Sequence, residues 1–114
     1  MRTLVIHLFH GDPASLGSGS HVAERIRQVK DQRGIDLEVY LFGPAEEKLL
    51  DPEAAELNAN VDGLIAAGVK VKACLNTAAG LGATQAFAER GIQLEFARDA
   101  FARYAAEGAT VISF

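Results

Sequence analysis

The sequence predicts a three-layer α/β/α sandwich built on a mostly parallel five-stranded sheet, and three observations carry that expectation. Short runs rich in β-branched and aromatic residues alternate with segments of helical character along the whole chain. The stretches between those runs are too long for hairpins, so each must cross over and leave its flanking strands parallel. At 114 residues, 49 % of them hydrophobic, the chain has one domain's length and enough apolar side chains to fill the space under helices on both faces.

The elements follow in order. Thr3 to Phe9 (TLVIHLF) reads as a buried strand, stopped by His10, Gly11, Asp12 and Pro13. Leu16 to Ser20 (LGSGS) reads as a loop, because Gly17 and Gly19 penalise a helix interior. Val22, Ile26 and Val29 then recur at helical spacing, with Ser20 as an N-cap and Gly34 as a stop; Pro13 offers an earlier start for the same helix. Ile35 to Phe42 suits a second strand, and Gly43-Pro44 breaks it into a short helical piece through Leu50. Leu57, Val61, Leu64 and Ile65 form the apolar stripe of a helix that ends at Gly68. Val69 to Cys74 is the third strand. Gly80 and Gly82 split Asn76 to Arg90 into at most two short helical turns. Ile92 to Ala97 alternates as a fourth strand, Ala100 to Glu107 is a short helix, and Ala109 to Phe114 is the fifth strand.

Charge and composition exclude some functions. Eleven basic residues against fifteen acidic ones give a net charge of −4, which lacks the basic stripe of a nucleic-acid or anionic-membrane binder. No stretch approaches 18 apolar residues, and no secretory leader pattern opens the chain, so a cytoplasmic protein is expected. The single cysteine, Cys74, has no partner for an intrachain disulfide and cannot build a thiolate metal site alone.

Ligands of an open parallel sheet sit outside the carboxyl ends of its strands. Those ends collect His10 and Asp12, then Phe42 and Gly43, then Cys74, Asn76 and Thr77, and finally Arg98 and Asp99. Cys74 stands where a strand gives way to a helix start, so backbone N–H groups there favour its thiolate. Strand alternation also puts Lys70 and Lys72 on its face, where positive charge would act the same way. The plain alternative is a small buried hydrophobe. His10 and Asp12 suit a base or an anion site, or simply turn chemistry. His7 falls inside a strand, on the face opposite His10, so the two cannot chelate a metal together, and His21 falls at an exposed helix start. LGSGS lacks both the phosphate-loop lysine and the dinucleotide spacing, Gly80-Leu81-Gly82 is weaker still, and no G-x-S-x-G elbow marks a serine nucleophile. No cofactor is expected.

The residues around Cys74 carry a resemblance. Gly68, Val69, Val71, Cys74, Asn76 and Thr77 match the third-strand element of the DsrE/DsrF-like (YchN-like) family of small sulfur-relay proteins. Phe42, Gly43, Pro44 and Ala45 resemble its second-strand exit, and Ala106, Glu107 and Gly108 its last turn before the final strand. The resemblance spans nearly the whole chain; the glycine-serine stretch at Leu16–Ser20 departs from it. It implies a homotrimer or homohexamer that carries sulfur as a persulfide on Cys74, exchanging it with a donor or acceptor protein. Two function classes therefore stand: a sulfur carrier, bordering on a sulfurtransferase, with Cys74 as the reactive group and His10, Asp12, Gly43, Asn76 and Thr77 around it; or a non-catalytic oligomeric small-ligand-binding or scaffold protein. An inert subunit of a heteromer is a third.

Overall fold

The computed structural model describes residues 2–114. Five strands, β1 (Arg2–Leu8), β2 (Ile35–Leu41), β3 (Lys70–Ala73), β4 (Gln93–Leu94) and β5 (Thr110–Ser113), form one sheet in the order β4-β3-β2-β1-β5. Every adjacent pair is parallel. Six helices make the crossovers: α1 (Pro13–Val29), α2 (Pro44–Glu47), α3 (Ala55–Ala66), α4 (Leu75–Gly80), α5 (Thr84–Arg90) and α6 (Ala97–Glu107). A 3₁₀ turn, Lys48–Leu50, follows α2.

The alternation of side chains along each strand divides the interior in two. Ile6, Leu8, Leu37, Val39, Leu41, Val71 and Ala73 point to one face, where Leu57, Val61 and Leu64 of α3, Leu16 and Ala23 of α1 and Phe87 of α5 cover them. Val5, Tyr40 and Cys74 point to the other, where Ala100 and Tyr104 of α6 pack on them. One face thus carries several helices and the other a single helix, the three layers expected.

Three local expectations are corrected. Ser20 is not an N-cap, and Leu16–Ser20 is not a loop: α1 begins at Pro13, capped by Asp12, whose carboxylate accepts the Ser15 N–H at 3.0 Å. Gly19 sits inside this helix for close packing. A Cβ at Gly19 would collide with the Leu8 side chain and come within 3.0 Å of Phe114, so only glycine lets α1 lie this near the sheet. The fourth strand shrinks to Gln93–Leu94, because Ala97 already belongs to α6. His21 is exposed as expected but lies well inside α1. The α3 stripe, the break at Gly43-Pro44 and the two short helices after Cys74 stand where the sequence put them.

Candidate functional site

Cys74 is the N-cap of α4, in extended backbone at the carboxyl end of β3. Its side chain is nearly buried, yet it lines a cleft of about 400 Å³ with Phe42, Asn76, Phe96, Ala97 and Arg98. The cleft therefore joins the ends of β2 and β3 to the start of α6. Phe96 is the most exposed of its apolar walls, at 42 %. Burial pushes the Cys74 thiol up, but the backbone N–H groups of Thr77, Ala97 and Asn76, with the Thr77 hydroxyl, outweigh it and bring the thiol below its ordinary value. Two of those N–H groups come from the first turn of α4, and the third reaches across from α6.

The expected help from lysine does not operate. Lys72 is engaged with Glu38 at 3.7 Å and Glu95 at 3.5 Å, so its charge is spent there, and Lys70 is exposed at the strand's far end. Under α6, Arg103 bonds Glu38 at 2.9 Å and Glu95 at 2.8 Å, while the Tyr104 hydroxyl donates to Glu38. This network pins α6 and the 95–98 segment to the sheet. Glu95 continues the link: its carbonyl accepts the Tyr40 hydroxyl at 2.7 Å, and its N–H bonds the Ala73 carbonyl beside Cys74.

The other residues expected at the site scatter along the rim. Asn76 and Thr77 stand with Cys74. Gly43 follows Phe42 in the turn into α2, with φ 63°. Asp12 caps α1, and that bond holds its carboxyl below the ordinary range. His10 is exposed and stacks edge-on against Phe9, which in turn meets Phe42. His10 and Asp12 thus lie beyond an aromatic step from the cleft and do not line it. His7 points to the α6 face, where its Nδ1 meets the Ser113 hydroxyl at 3.0 Å and its Nε2 is buried without a partner. Burial, then His10, lowers its pKa. Among the described residues no group of three or more His, Cys, Asp or Glu is placed to hold a metal.

Glu46 was not foreseen. It sits on α2, fully buried, with Oε1 accepting the Cys74 N–H at 3.1 Å and Oε2 without a partner. Burial pushes its carboxyl up to about 7, and the Cys74 N–H only partly offsets that. No pattern singles it out, since α2 is one turn long and Glu46 and Glu47 look alike in sequence. The consequence for stability has a definite sign. A raised carboxyl contributes stability that is complete below its ordinary 4.5 and is lost as pH rises through about 7. Glu46→Gln, which cannot ionise, should therefore gain on the wild type by several degrees in Tm between about pH 4.5 and about pH 8. Thermal melts of both proteins across that range test this; a Tm difference that stays constant with pH would show that folding leaves the Glu46 pKa at its ordinary value.

The parallel sheet in the order β4-β3-β2-β1-β5, with α6 alone on one face, is the YchN-like fold. The E. coli YchN protein superposes with a TM-score of 0.76 at 20 % identity, with all of both chains covered. MTH1491 from Methanobacterium thermoautotrophicum, a protein of unknown function, gives 0.74 at 19 % over the full length of both. BT1422 from Bacteroides thetaiotaomicron, also of unknown function, gives 0.75 at 12 %, covering 96 % of this chain and 94 % of its own. At these identities what is shared is the fold. No protein-family model and no curated protein sequence matches this chain.

Proposed function

We propose that this protein is a cytoplasmic sulfur carrier that holds sulfane sulfur as a persulfide on Cys74. The observation that carries this reading is the setting of the thiol: it lines an open cleft, and against its burial the backbone N–H groups of Thr77, Ala97 and Asn76 hold its pKa below the ordinary value. Such groups favour the thiolate, which is the nucleophilic form, and equally the persulfide anion that replaces it. The thiolate attacks the terminal sulfane sulfur of a polysulfide. A Cys74 S–S bond forms as the donor's S–S bond breaks, and the shortened polysulfide leaves with the electron pair. An acceptor thiolate then attacks the outer sulfur and releases Cys74 as thiolate. With no second cysteine in the chain, the persulfide cannot discharge internally as a disulfide.

Asn76 and Thr77 steady the anion, and Gly43 shapes the turn that places Phe42 and Glu46. His10 and Asp12, beyond the end of β1 and two strands from Cys74, meet a donor or acceptor protein rather than the sulfur. Assembly of several copies, as a trimer or hexamer, belongs to the same reading and is supported by the sheet margin at β5, where Val111 and Ile112 are exposed.

Intact-mass analysis after incubation with polysulfide tests the carrier role. The wild type should gain whole sulfur atoms that a reducing agent removes, and Cys74→Ser should gain none. Loading of the variant would sink the assignment. The near-complete burial of Cys74 favours a second reading, a non-catalytic oligomeric ligand-binding or scaffold protein. It predicts a native thiol that neither loads sulfur nor reacts with iodoacetamide.

A further inference from the structure

Glu46 and Cys74 form a pair that the transfer step above does not use. The carboxyl is fully buried, and its only hydrogen bond is to the backbone N–H of the cysteine itself. With Oε1 at 3.1 Å from that nitrogen, the carboxyl lies within one residue's span of the sulfur. The titratable groups facing it are the Cys74 thiol, on the turn from β3 into α4, and the Tyr40 phenol on β2. Burial, then the proximity of Cys74 and Glu46, push that phenol's pKa up, so it stays neutral. On its own segment, Glu47 is exposed and Lys48 is drawn to Asp51 at 3.6 Å. Among the described residues no positive side chain offsets Glu46.

Two anions this close, in a site without a counter-charge, do not coexist cheaply. Like charges about 6 Å apart in a protein environment displace each other's titration by about one to two pH units. We propose that Glu46 and Cys74 share a single negative charge: the carboxyl takes up a proton when the sulfur becomes an anion and gives it up when the sulfur is capped. The balance is Cys74–SH with Glu46–COO⁻ on one side and Cys74–S⁻ with Glu46–COOH on the other, with no net proton exchanged with solvent. The two groups then titrate as a pair. Glu46 is a positioning and charge-balancing residue, which does not touch the reacting sulfur donor. Its use in keeping a persulfide anionic in a buried site rests on the carrier reading, but the pairing itself does not.

The test is the pH dependence of Cys74 alkylation by iodoacetamide in the wild type and in Glu46→Gln. Removing the competing charge should lower the thiol's apparent pKa by about one unit, roughly a tenfold gain in rate on the acid side of the profile, and leave a single inflection. An unchanged or higher thiol pKa in the variant would overturn the proposal. Should the variant not fold, the carboxyl infrared band of Glu46 in the wild type decides it. Capping Cys74 as its neutral methyl disulfide should lower the Glu46 midpoint, and an unmoved midpoint would overturn the pairing. Neither measurement loads sulfur, so failure to form a persulfide and failure of the charge pairing are told apart.

Discussion

Glu38→Ala is expected to destabilise the domain by about 3–5 kcal/mol, a large share of the roughly 5–15 kcal/mol that holds a domain of this size together. Glu38 is nearly buried in the middle of β2, and three side chains converge on it: Lys72 from the neighbouring strand, and Arg103 and Tyr104 from α6. Deleting it leaves Glu95 to hold both cations, and leaves the buried Tyr104 hydroxyl without its acceptor. Removing one partner from a buried network is costly because the remaining charges stay desolvated. Urea unfolding measures the loss, and Glu38→Gln, which keeps an acceptor for Tyr104, should lose clearly less. Equal losses for the two variants would mean that the negative charge, and not the packing or the acceptor that Gln retains, is what Glu38 supplies. The network also governs acid behaviour. Arg103, against a smaller penalty from burial, and Lys72 hold the Glu95 carboxyl below its ordinary 4.5, so its stabilisation is present above that value and lost as pH falls through the lowered one.

Gly43→Ala is expected to damage both the fold and the site. Its backbone, at φ 63° and ψ −137°, lies where side chains with a Cβ are strained, and the new Cβ would meet Phe9 at 2.7 Å. Strain and overpacking together should cost about 2–5 kcal/mol. The turn cannot relax freely, because it joins β2 to the helix that carries Glu46. Displacing α2 lengthens the Glu46 bond to the Cys74 N–H, so the variant should show a lower melting temperature together with an altered rate of Cys74 alkylation. A fall in Tm with no change in alkylation would confine Gly43 to a structural role.

The legible parts of the fold are those where local chemistry and tertiary packing agree. The α3 stripe is read from spacing alone, because Leu57, Val61 and Leu64 are the residues the core buries. The break at Gly43-Pro44 is equally plain, since glycine at positive φ and proline at the first helical position have few other uses. The Leu16–Ser20 stretch misleads for a physical reason. Helix propensity penalises Gly17 and Gly19, but a cap at Asp12 and burial against Leu8 and Phe114 outweigh the penalty. The fourth strand is overestimated because alternation in IQLEFA continues past the point where α6 begins.

At the candidate site, Cys74, Asn76 and Thr77 are visible in sequence because they are contiguous, and the strand end places them. Phe96 and Ala97 escape because they reach the cysteine from 22 and 23 residues away through the 95–98 segment. Glu38 left one faint signal, a carboxylate in the middle of a mostly apolar strand beside a strand with lysines on the same face. Glu46 left none. The sequence by itself determined the order of elements, the parallel sheet and the rim on which the lone thiol stands, since periodicity and turn residues are local properties. Only the tertiary structure decided which charges face one another. Lys72 is held by Glu38 and Glu95, and Glu46 is set behind Cys74, because electrostatic pairing depends on distances between elements that no spacing along the chain encodes.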